Sequence, residues 1–416
     1  MGLTVIEKIV GNHGGRPAEA GAIVWMGIDF RSARDFGGAN VIKNLKKNYQ
    51  GDYIHDKSKT AFTFDTNAPA NTIAYADNQH YIRLFARQNG IPLYDVDQGI
   101  GTHIAIDNGL VLPGETAVGT DSHYNIMGAI GAFGQGMGDQ DIAFIFKTGR
   151  TWFQIPPSVK IEVKGALTWG TTARDLTLKI VGELGTEKAL NKSVEITGEA
   201  IEELDLAARI TLSSMATESG AIAFFLKPSP AIIEYCRARS GGRSFDVVWA
   251  DENAEYSDYL EIDISGLKPQ AAVSPSPTKV VDLREILGKP VDSVFIGSCT
   301  NGRYEDIAAA SEIMAGKKVH PGVMVKVVPA TRKIYARLLQ EGIISALFEA
   351  GVIISQPGCG GCASGQLGMT GKEEIQLSTS NRNFPGKQGS GETHLVSPQT
   401  AAYSALAGKV ANPYAF

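Results

Sequence analysis

The amino-acid sequence predicts an α/β protein with two or three domains. The chain has 416 residues, more than one ordinary hydrophobic core accommodates. From residue 280 onward, short apolar runs rich in β-branched residues alternate with helical patterns. This alternation is typical of a parallel sheet with helices on both faces. The 47 glycines suit the many tight connections of such a fold.

Residues 1 to about 157 mix helix and strand patterns. We expect a helix at 78–88, strands at 91–96 and 110–112, and a strand from 117 that runs into the polar loop of Asp121, Ser122 and His123. The glycine-rich run 128–138 resembles a dinucleotide-binding loop. Such a run is weak evidence unless strand, turn, helix and a later acidic residue all fit. We predict that these glycines allow close helix packing behind Asp121 and His123.

The middle of the chain begins after the prolines at 156 and 157, which mark a domain boundary. A strand at 159–163, a capped helix at 172–185 and a largely helical stretch at 201–223 are expected. Residues 266–279, which contain several prolines and serines, predict a connection into the last domain. In that domain we expect strands at 291–296, 324–328 and 352–354, and helices at 308–314 and 330–341.

Three cysteines lie in loops that follow predicted buried strands. Cys299 follows the strand at 291–296, and the glycine-rich motif of residues 356–365 places Cys359 and Cys362 after the strand at 352–354. The carboxyl ends of parallel strands are where α/β proteins form ligand crevices. The fourth cysteine, Cys236, lies on a helical pattern and is predicted to be a core residue.

The thiol pattern admits several interpretations. A structural zinc site needs four ligands, and no fourth Cys or close His follows the pair. A thioredoxin-like redox pair would not need Cys299. An iron–sulfur cluster takes four thiolates as a rule, so three would leave one iron open to bind substrate. Three unrelated buried cysteines are the remaining interpretation, although the flanking glycines are hard to explain by packing.

Two polar loops are further candidates for chemistry. Arg382 lies in a polar loop after a strand, where a guanidinium could bind a carboxylate through two hydrogen bonds or form a surface ion pair. Asp121 and His123 could tune an imidazole for proton transfer. Asp121 or Ser122 could equally cap a helix.

Composition excludes several classes of function. A net charge of −5 argues against a general nucleic-acid binder. No apolar run reaches the ~18 residues that a membrane span needs, and the first residues contain no signal-peptide core. Four cysteines in so long a chain indicate a reducing compartment, so we expect a cytoplasmic protein.

Four motifs resemble the aconitase superfamily: 119–123 (GTDSH), 296–303 (IGSCTNGR), 357–362 (PGCGGC) and 378–384 (STSNRNF). Their order and spacing are most similar to large subunits of the isopropylmalate dehydratase and homoaconitase type, over essentially the whole chain. The resemblance implies a three-domain fold, each domain an αβα sandwich with a mainly parallel sheet. We place the domains at 1–157, 158–284 and 285–416, without the fourth, swivel domain of single-chain aconitases.

The resemblance also implies the cofactor, the reaction and the partner. Cys299, Cys359 and Cys362 would hold a 4Fe-4S cluster with one iron that no cysteine binds. The enzyme would be a hydro-lyase acting on a hydroxy di- or tricarboxylic acid. In two-subunit relatives the swivel domain is a separate small subunit that supplies a serine base, so we expect a heterodimer or heterotetramer and little catalysis by this chain alone.

Individual site residues follow from the same resemblance. The catalytic candidates are Asp65, Asp121, His123 and Glu218, and the substrate-binding candidates are Arg34, Ser122, Asn381, Arg382 and Lys387.

The sequence departs from the family pattern at six positions. Histidine is usual at Thr66 and Thr102, glutamine at Arg34, asparagine at Ser214, threonine at Tyr124 and arginine at Lys387. These positions surround the substrate, whereas all three cysteines are kept. A homoaconitate, maleate, citraconate or dimethylmaleate substrate is therefore an alternative to isopropylmalate. A regulatory RNA-binding relative and an electron-transfer protein are alternatives of another class, which the acidic charge and Arg382 respectively disfavour.

Overall fold

The computed structural model describes residues 2–49, 51, 53–362, 367 and 369–412. The first part contains, in chain order, α1 (Val5–Gly14), β1 (Ile23–Gly27), β2 (Phe30–Arg34), α2 (Gly38–Tyr49), β3 (Thr60–Thr63), α3 (Ile73–Asn89), β4 (Leu93–Tyr94), α4 (Gly101–Asp107), β5 (Thr116–Gly119), β6 (Phe133–Gly136), α5 (Asp139–Thr148) and β7 (Arg150–Gln154).

The middle part contains β8 (Ser158–Lys164), α6 (Ala173–Leu184), β9 (Ser193–Thr197), α7 (Glu199–Glu202), α8 (Leu206–Ser213), β10 (Ala223–Leu226), α9 (Pro230–Arg237) and β11 (Asp258–Asp263). The last part contains β12 (Gln270–Ala272), β13 (Val280–Asp282), β14 (Ser293–Ile296), α10 (Ser298–Asn301), α11 (Tyr304–Met314), β15 (Met324–Val327), α12 (Arg332–Gln340), α13 (Ile343–Ala350), β16 (Ile353–Ile354), β17 (Ile375–Ser378), β18 (Glu392–Leu395) and α14 (Pro398–Ala407).

Three sheets carry the architecture. A five-stranded parallel sheet has the order β4-β3-β2-β5-β6, and a four-stranded parallel sheet has the order β10-β9-β8-β11. A seven-stranded sheet has the order β13-β12-β18-β17-β14-β15-β16 and is parallel from β18 to β16. β1 and β7 form a separate antiparallel ribbon. The predicted α/β fold with mainly parallel sheets is confirmed.

The seven-stranded sheet draws strands from both sides of the domain boundary predicted at 284. Both β12, which lies within the linker predicted at 266–279, and β13 precede residue 285. β12 pairs antiparallel with β18, and β13 pairs antiparallel with β12. One hydrophobic core also joins the first and last parts of the chain, since Ile100 and Met127 pack in the same cluster as Val294 and Ile296. The division into domains at 157 and 284 therefore stays a proposal.

Local signals explain where several elements begin and end. The capped helix predicted at 172–185 is α6, whose capping box pairs Thr172 with Asp175 at the first turn. The stretch at 201–223 is less helical than expected, because α8 ends at Ser213 and only a 3₁₀ turn (Thr217–Ser219) follows before β10.

The strand edge predicted at 110–112 is absent, because local partners take its backbone N–H groups. The N–H groups of Leu110 and Val111 donate to the Ala105 carbonyl, and that of Leu112 donates to the Glu115 carboxylate. No donor remains on these three residues for a neighbouring strand.

The glycine-rich run is confirmed as a place of close backbone approach, although it forms a 3₁₀ helix (Tyr124–Ile130) followed by β6 rather than packed helices. A Cβ at Gly128 would lie 1.9 Å from the Phe224 carbonyl oxygen, and one at Gly134 would lie 1.9 Å from the Tyr124 carbonyl oxygen. Only glycine fits there, and this packing supports the Asp121 loop from behind.

Candidate active site

The carboxyl ends of two parallel sheets face one cavity. In the five-stranded sheet, Arg34 ends β2, Asp65 follows β3, and residues 121–123 follow β5. In the seven-stranded sheet, Cys299 follows β14, residues 359–362 follow β16, and residues 381–382 follow β17. The cavity has a volume of about 660 Å³, and its lining includes Arg34, Asp121, Ser122, His123, Cys299, Cys359, Cys362, Arg382 and Lys387. The topology thus unites loops that are far apart in sequence.

Three predicted site residues lie just behind this lining. Asp65 does not line the cavity. Its carboxylate accepts hydrogen bonds from Arg34 Nε and from the Gly101 N–H, each at 2.8 Å. Glu218 lies under His123 and Arg382. The Asn381 amide nitrogen donates to the Ser214 carbonyl at 3.0 Å, and its Oδ1 lies 3.2 Å from the Cys299 sulfur. Asn381 therefore supports the Cys299 loop instead of lining the cavity.

All three predicted thiol ligands are free, buried and directed at the same cavity. Cys299, Cys359 and Cys362 are 6%, 9% and 8% exposed. Ser298, just before Cys299, has φ +71°, an uncommon conformation for a residue with a side chain. Its hydroxyl pairs with that of Thr300 at 2.6 Å, which helps to hold this turn. Such backbone strain is concentrated at functional sites.

The loop that carries Cys359 and Cys362 requires glycine. Gly360 has φ +61°, and a Cβ there would lie 2.7 Å from the Phe295 ring. The 3₁₀ turn Gly360–Cys362 can therefore pack directly on β14. The end of the predicted motif, residues 363–365, lies outside the described residues.

The donor set fits a cluster better than a single ion. Within the described ranges, no group of three or more His, Cys, Asp or Glu side chains could hold one metal ion. Three thiols that line one cavity instead suit a polynuclear cluster, in which each thiolate would bind a different iron. Cys236 lies on α9 in the hydrophobic core, and burial raises the pKa of its thiol to about 12. It is not part of the site, as predicted.

An ionic chain runs behind the thiols. His123 Nε2 lies 3.0 Å from Glu218 Oε1, and Arg382 Nε donates to the same oxygen at 2.7 Å. Burial alone would raise the pKa of Glu218, but the charges and hydrogen bonds of His123 and Arg382 outweigh it and lower that pKa. Glu218 therefore orients an imidazole and a guanidinium at once.

Arg34 makes the densest set of polar contacts in the cavity. Its Nε and Nη2 lie 2.8 and 2.6 Å from Asp65 Oδ1, and its Nη1 lies 3.1 Å from Asp121 Oδ1. Nη2 also lies 2.6 Å from the Cys359 sulfur. Burial opposes the charge of Arg34, yet the two carboxylates raise the pKa of its guanidinium well above the ordinary value.

Two cationic groups keep hydrogen-bonding capacity toward the cavity. Arg382 uses only Nε on Glu218, so its two terminal nitrogens bind no residue in the described part of the chain. The Lys387 ammonium likewise has no hydrogen bond or ion pair to any described side chain, and it lines the cavity. Both groups can therefore bind an anionic ligand.

The departures from the family pattern fall in different places. Thr66 lines the cavity, and its hydroxyl donates to Asp65 Oδ1 at 3.3 Å. Thr102 is fully buried on α4, and the neighbouring His103 contacts the Cys299 carbonyl through Nε2 at 3.0 Å. Neither residue 102 nor residue 103 lines the cavity, and His103 supports the Cys299 loop from below.

Two supporting residues were not found from the sequence. The Asp35 carboxylate accepts hydrogen bonds from the N–H groups of Asp65, Thr66 and Asn67, and so shapes the loop after β3. Arg174 is buried and donates to the Ser380 carbonyl at 2.6 Å, next to Asn381. The position of Asp35 after a strand was a usable signal, whereas Arg174 comes from a helix more than 200 positions earlier.

Fold and site together define an α/β protein with a thiol-lined, cation-bearing cavity between two sheet edges. The aconitase family (aconitate hydratase) matches residues 7–408. A 3-isopropylmalate dehydratase large subunit of Methanopyrus kandleri is 39% identical, with 99% of each chain covered. A probable methanogen homoaconitase large subunit of Methanothermobacter thermautotrophicus is 37% identical over 99% of this chain and 97% of that relative.

A solved structure agrees at the level of fold. Thermococcus kodakaraensis aconitase X matches with a TM-score of 0.50 and 14% identity, over 86% of this chain and 84% of that one. The chain belongs to the aconitase family, and it is an enzyme of the hydro-lyase class. Dehydratases of this family generally use an iron–sulfur cluster. No helix within the described ranges is both long and apolar enough to cross a membrane.

Proposed function

We propose that this chain is the large catalytic subunit of a 4Fe-4S-dependent hydro-lyase for a hydroxy di- or tricarboxylic acid, of the 3-isopropylmalate dehydratase type. The observation that carries the proposal is the convergence on one cavity of three buried thiols and two cationic groups, the terminal nitrogens of Arg382 and the Lys387 ammonium, which bind no other described residue. The names of the relatives agree with it. Four free cysteines fit the reducing cytoplasm.

Cys299, Cys359 and Cys362 would hold the cluster. Three thiolates would leave one iron without a cysteine ligand, and the bound cluster would supply Lewis-acid chemistry toward a substrate hydroxyl. The residues of the chain itself bind the substrate, orient it and handle protons around that position.

Arg382 would anchor one substrate carboxylate through its two terminal nitrogens, since Glu218 fixes its Nε and aims the planar group. Lys387 would bind a second carboxylate as a point charge on a flexible stem. Ser122, at the cavity wall, can donate its hydroxyl to the substrate. Two cations at one cavity select a substrate with at least two negative groups.

His123 would transfer a proton to the leaving hydroxyl. Its ring Nε2 lies 3.0 Å from Glu218 Oε1, and its backbone N–H donates to Asp121 Oδ1 at 3.0 Å. Glu218 therefore orients the ring, and Asp121 fixes the backbone that carries it. Asp65 acts through Arg34 and the Gly101 N–H, which it holds in place.

A separate small subunit would complete the enzyme, because the relatives are named large subunits. Apolar side chains are exposed around the mouth of the cavity, where a second subunit could cover them. Phe36 and Met369 line the cavity, and Ile73 and Phe384 are exposed beside the lining residues Thr72 and Lys387. A swivel-domain subunit seated there would exclude water and bring a base, in a heterodimer or heterotetramer.

A different dicarboxylate is the second candidate substrate. Lys387 replaces the usual arginine and Thr66 lines the wall where histidine is usual, so the end of the substrate near these residues would be recognised differently. A homoaconitase large subunit among the relatives shows that closely similar chains carry other substrate names. Homoaconitate, maleate, citraconate and dimethylmaleate are the compounds to compare.

The test is hydration of isopropylmaleate and of these unsaturated acids, followed by loss of enoate absorbance. The chain is reconstituted anaerobically with iron and sulfide and assayed with and without its cognate small subunit. We expect turnover only in the mixture, and with the Arg382→Lys variant a loss of kcat/KM on the order of tenfold to a hundredfold, as for a charged two-point contact. Full turnover by the chain alone would contradict the two-subunit proposal.

A further inference from the structure

Arg34 has little hydrogen-bonding capacity left for a substrate. Each of its three guanidinium nitrogens already contacts Asp65 or Asp121, and Nη2 also contacts the Cys359 sulfur at 2.6 Å. Asp65 is 1% exposed and Asp121 is 6% exposed, so both acceptors are fixed in the protein interior. In contrast, the terminal nitrogens of Arg382 and the ammonium of Lys387 have no described partner.

We propose that Arg34 holds and charge-compensates the Cys359 thiolate, as a positioning residue of the cluster site, and does not bind a substrate carboxylate. The inference rests on the proposed function, because it takes Cys359 as a cluster ligand. It replaces the substrate-binding role expected from sequence. The contacts of Arg34 with Asp65, Asp121 and Cys359 are the reason for this change of role.

The geometry gives Arg34 this role in two ways. The Asp65 and Asp121 carboxylates hold the guanidinium from two sides, so Nη2 is aimed at the sulfur without a large loss of side-chain entropy on cluster binding. A positive charge and an N–H group at a cluster sulfur favour its more negative, reduced state, and so raise the reduction potential. They also strengthen ligand binding, because a thiolate rather than a thiol binds iron.

Arg34 also links two structural layers. It ends β2 in the five-stranded sheet, whereas Cys359 belongs to the loop after β16 in the seven-stranded sheet. The Cys359 N–H donates to the Asp65 carbonyl at 2.9 Å, so the same pair of loops is joined through backbone as well. Arg34 therefore fixes the position of one ligand relative to the cavity wall opposite.

The test compares Arg34→Gln with Lys387→Gln in anaerobically reconstituted protein. For each variant, the midpoint potential of the cluster is measured by EPR-monitored titration, and iron loss is measured by transfer to a ferrous chelator. Calorimetry gives the Kd of methylsuccinate, the saturated analogue of citraconate, which binds as a dicarboxylate but cannot react. For Arg34→Gln we expect a more negative potential and about 10- to 100-fold weaker iron retention, the usual effect of removing a group that supports a metal ligand. The Kd for methylsuccinate should change by less than threefold.

Lys387→Gln is the matched control, since it removes the same charge from the same cavity without a thiol contact. We expect weaker methylsuccinate binding and parent-like potential and iron retention. Arg34→Lys keeps the positive charge but loses the planar guanidinium with its several N–H donors. Its midpoint potential should therefore lie between those of the parent and Arg34→Gln. If Arg34→Gln fails to fold with Asp65 unpaired, the double variant Arg34→Gln/Asp65→Asn removes both charges and gives the same comparison.

Two outcomes would overturn the inference and leave the proposed function standing. One is a parent-like potential and iron retention in Arg34→Gln. The other is a loss of methylsuccinate affinity in Arg34→Gln without a change in potential, which would make Arg34 a substrate ligand. If the parent protein itself takes up no cluster, the proposed function fails and the inference fails with it.

Discussion

Cys236 and Cys359 are both buried thiols in different surroundings. Cys236 packs among apolar residues of α9 and the core, where burial raises the pKa of its thiol to about 12. Cys359 lies beside Arg34, the Asp65 backbone and the cavity. Burial also raises the pKa of the Cys359 thiol well above its ordinary value, although the Arg34 charge opposes this effect. Of these two residues, only Cys359 lines a cavity that could hold a cluster.

We therefore expect serine substitution to separate the ligands from the core cysteine. Cys299→Ser, Cys359→Ser and Cys362→Ser should each lose the iron–sulfur absorbance after anaerobic reconstitution. Cys236→Ser is the matched control, with the same change of atoms at a buried site, and should keep it. Equal loss of iron in Cys236→Ser and Cys359→Ser would show that the three-cysteine assignment is wrong.

The sequence motifs located the loops of the site but not the contacts between them. The placement of the cysteines and of Arg382 at one cavity could be predicted because loops that follow parallel strands form ligand crevices. The partners of Arg34 could not be predicted, since Asp65 and Cys359 are 31 and 325 positions away and only the packed fold brings them together. Arg174 was missed for the same reason.

At the scale of elements, the end of α1 is fixed by an ion pair away from the cavity. Both ring nitrogens of His13 face oxygen acceptors, the Ile9 carbonyl and the Asp29 carboxylate, each at 2.7 Å. Burial alone would lower the pKa of His13, but the hydrogen bonds and the charge of Asp29 outweigh it and raise that pKa above 6.5. The Asp29 pKa is lowered to about 2, because the same contacts exceed the effect of burial.

This pair predicts a pH dependence of stability. A histidine whose pKa is raised in the folded state stabilises most below its unfolded pKa of 6.5, and this contribution disappears as pH rises through the folded value. The carboxylate contribution is present above pH 3.8 and is lost as pH falls toward 2. Between pH 6 and pH 9 we expect the urea-derived free energy of unfolding to fall by ~1 kcal/mol more in the parent than in His13→Gln, the scale of a charged histidine at a helix C-terminus.

His80→Gln is the control for this comparison, since His80 is exposed on α3. Its unfolding free energy should follow the pH dependence of the parent. Parallel curves for the parent and His13→Gln would contradict the assignment of the pH dependence to the His13–Asp29 pair.

Elements with their own end signals were predicted, and elements that depend on distant partners were not. α6 could be placed because Thr172, Asp175 and Gly185 mark both of its ends. The expected strand at 110–112 failed because a side chain, Glu115, supplies the hydrogen-bond partner that a neighbouring strand would have supplied. The periodicity of apolar residues in a sequence does not show which hydrogen-bond partner a backbone N–H group will have.

At the scale of the whole molecule, the seven-stranded sheet contains strands from both sides of the proposed domain boundary at 284. β12 and β13 cover the edge of β18, and Ala272 of β12 packs with Leu395 of β18. The sequence around 266–279 predicted a connection because of its prolines, and only the sheet order shows that it also contributes a strand.

Fragments that begin on either side of these strands test their contribution. A fragment of residues 266–416 keeps the cover on β18, whereas a fragment of residues 285–416 exposes that strand edge. We expect the shorter fragment to aggregate more, because an unprotected edge pairs with other chains. Soluble yield and light scattering measure the difference, and equal solubility of the two fragments would support an independent domain from 285 onward.

The contact between Arg34 and Cys359 spans 325 positions, and this distance orders events during protein synthesis. Translation delivers the five-stranded sheet first, and domains generally fold in that order as they emerge. Arg34, Asp65 and Asp121 are therefore present before most of the chain has been made. Cys359 and Cys362 are made only late in elongation, so a cluster that needs all three thiols could be completed only after most of the chain has been synthesised.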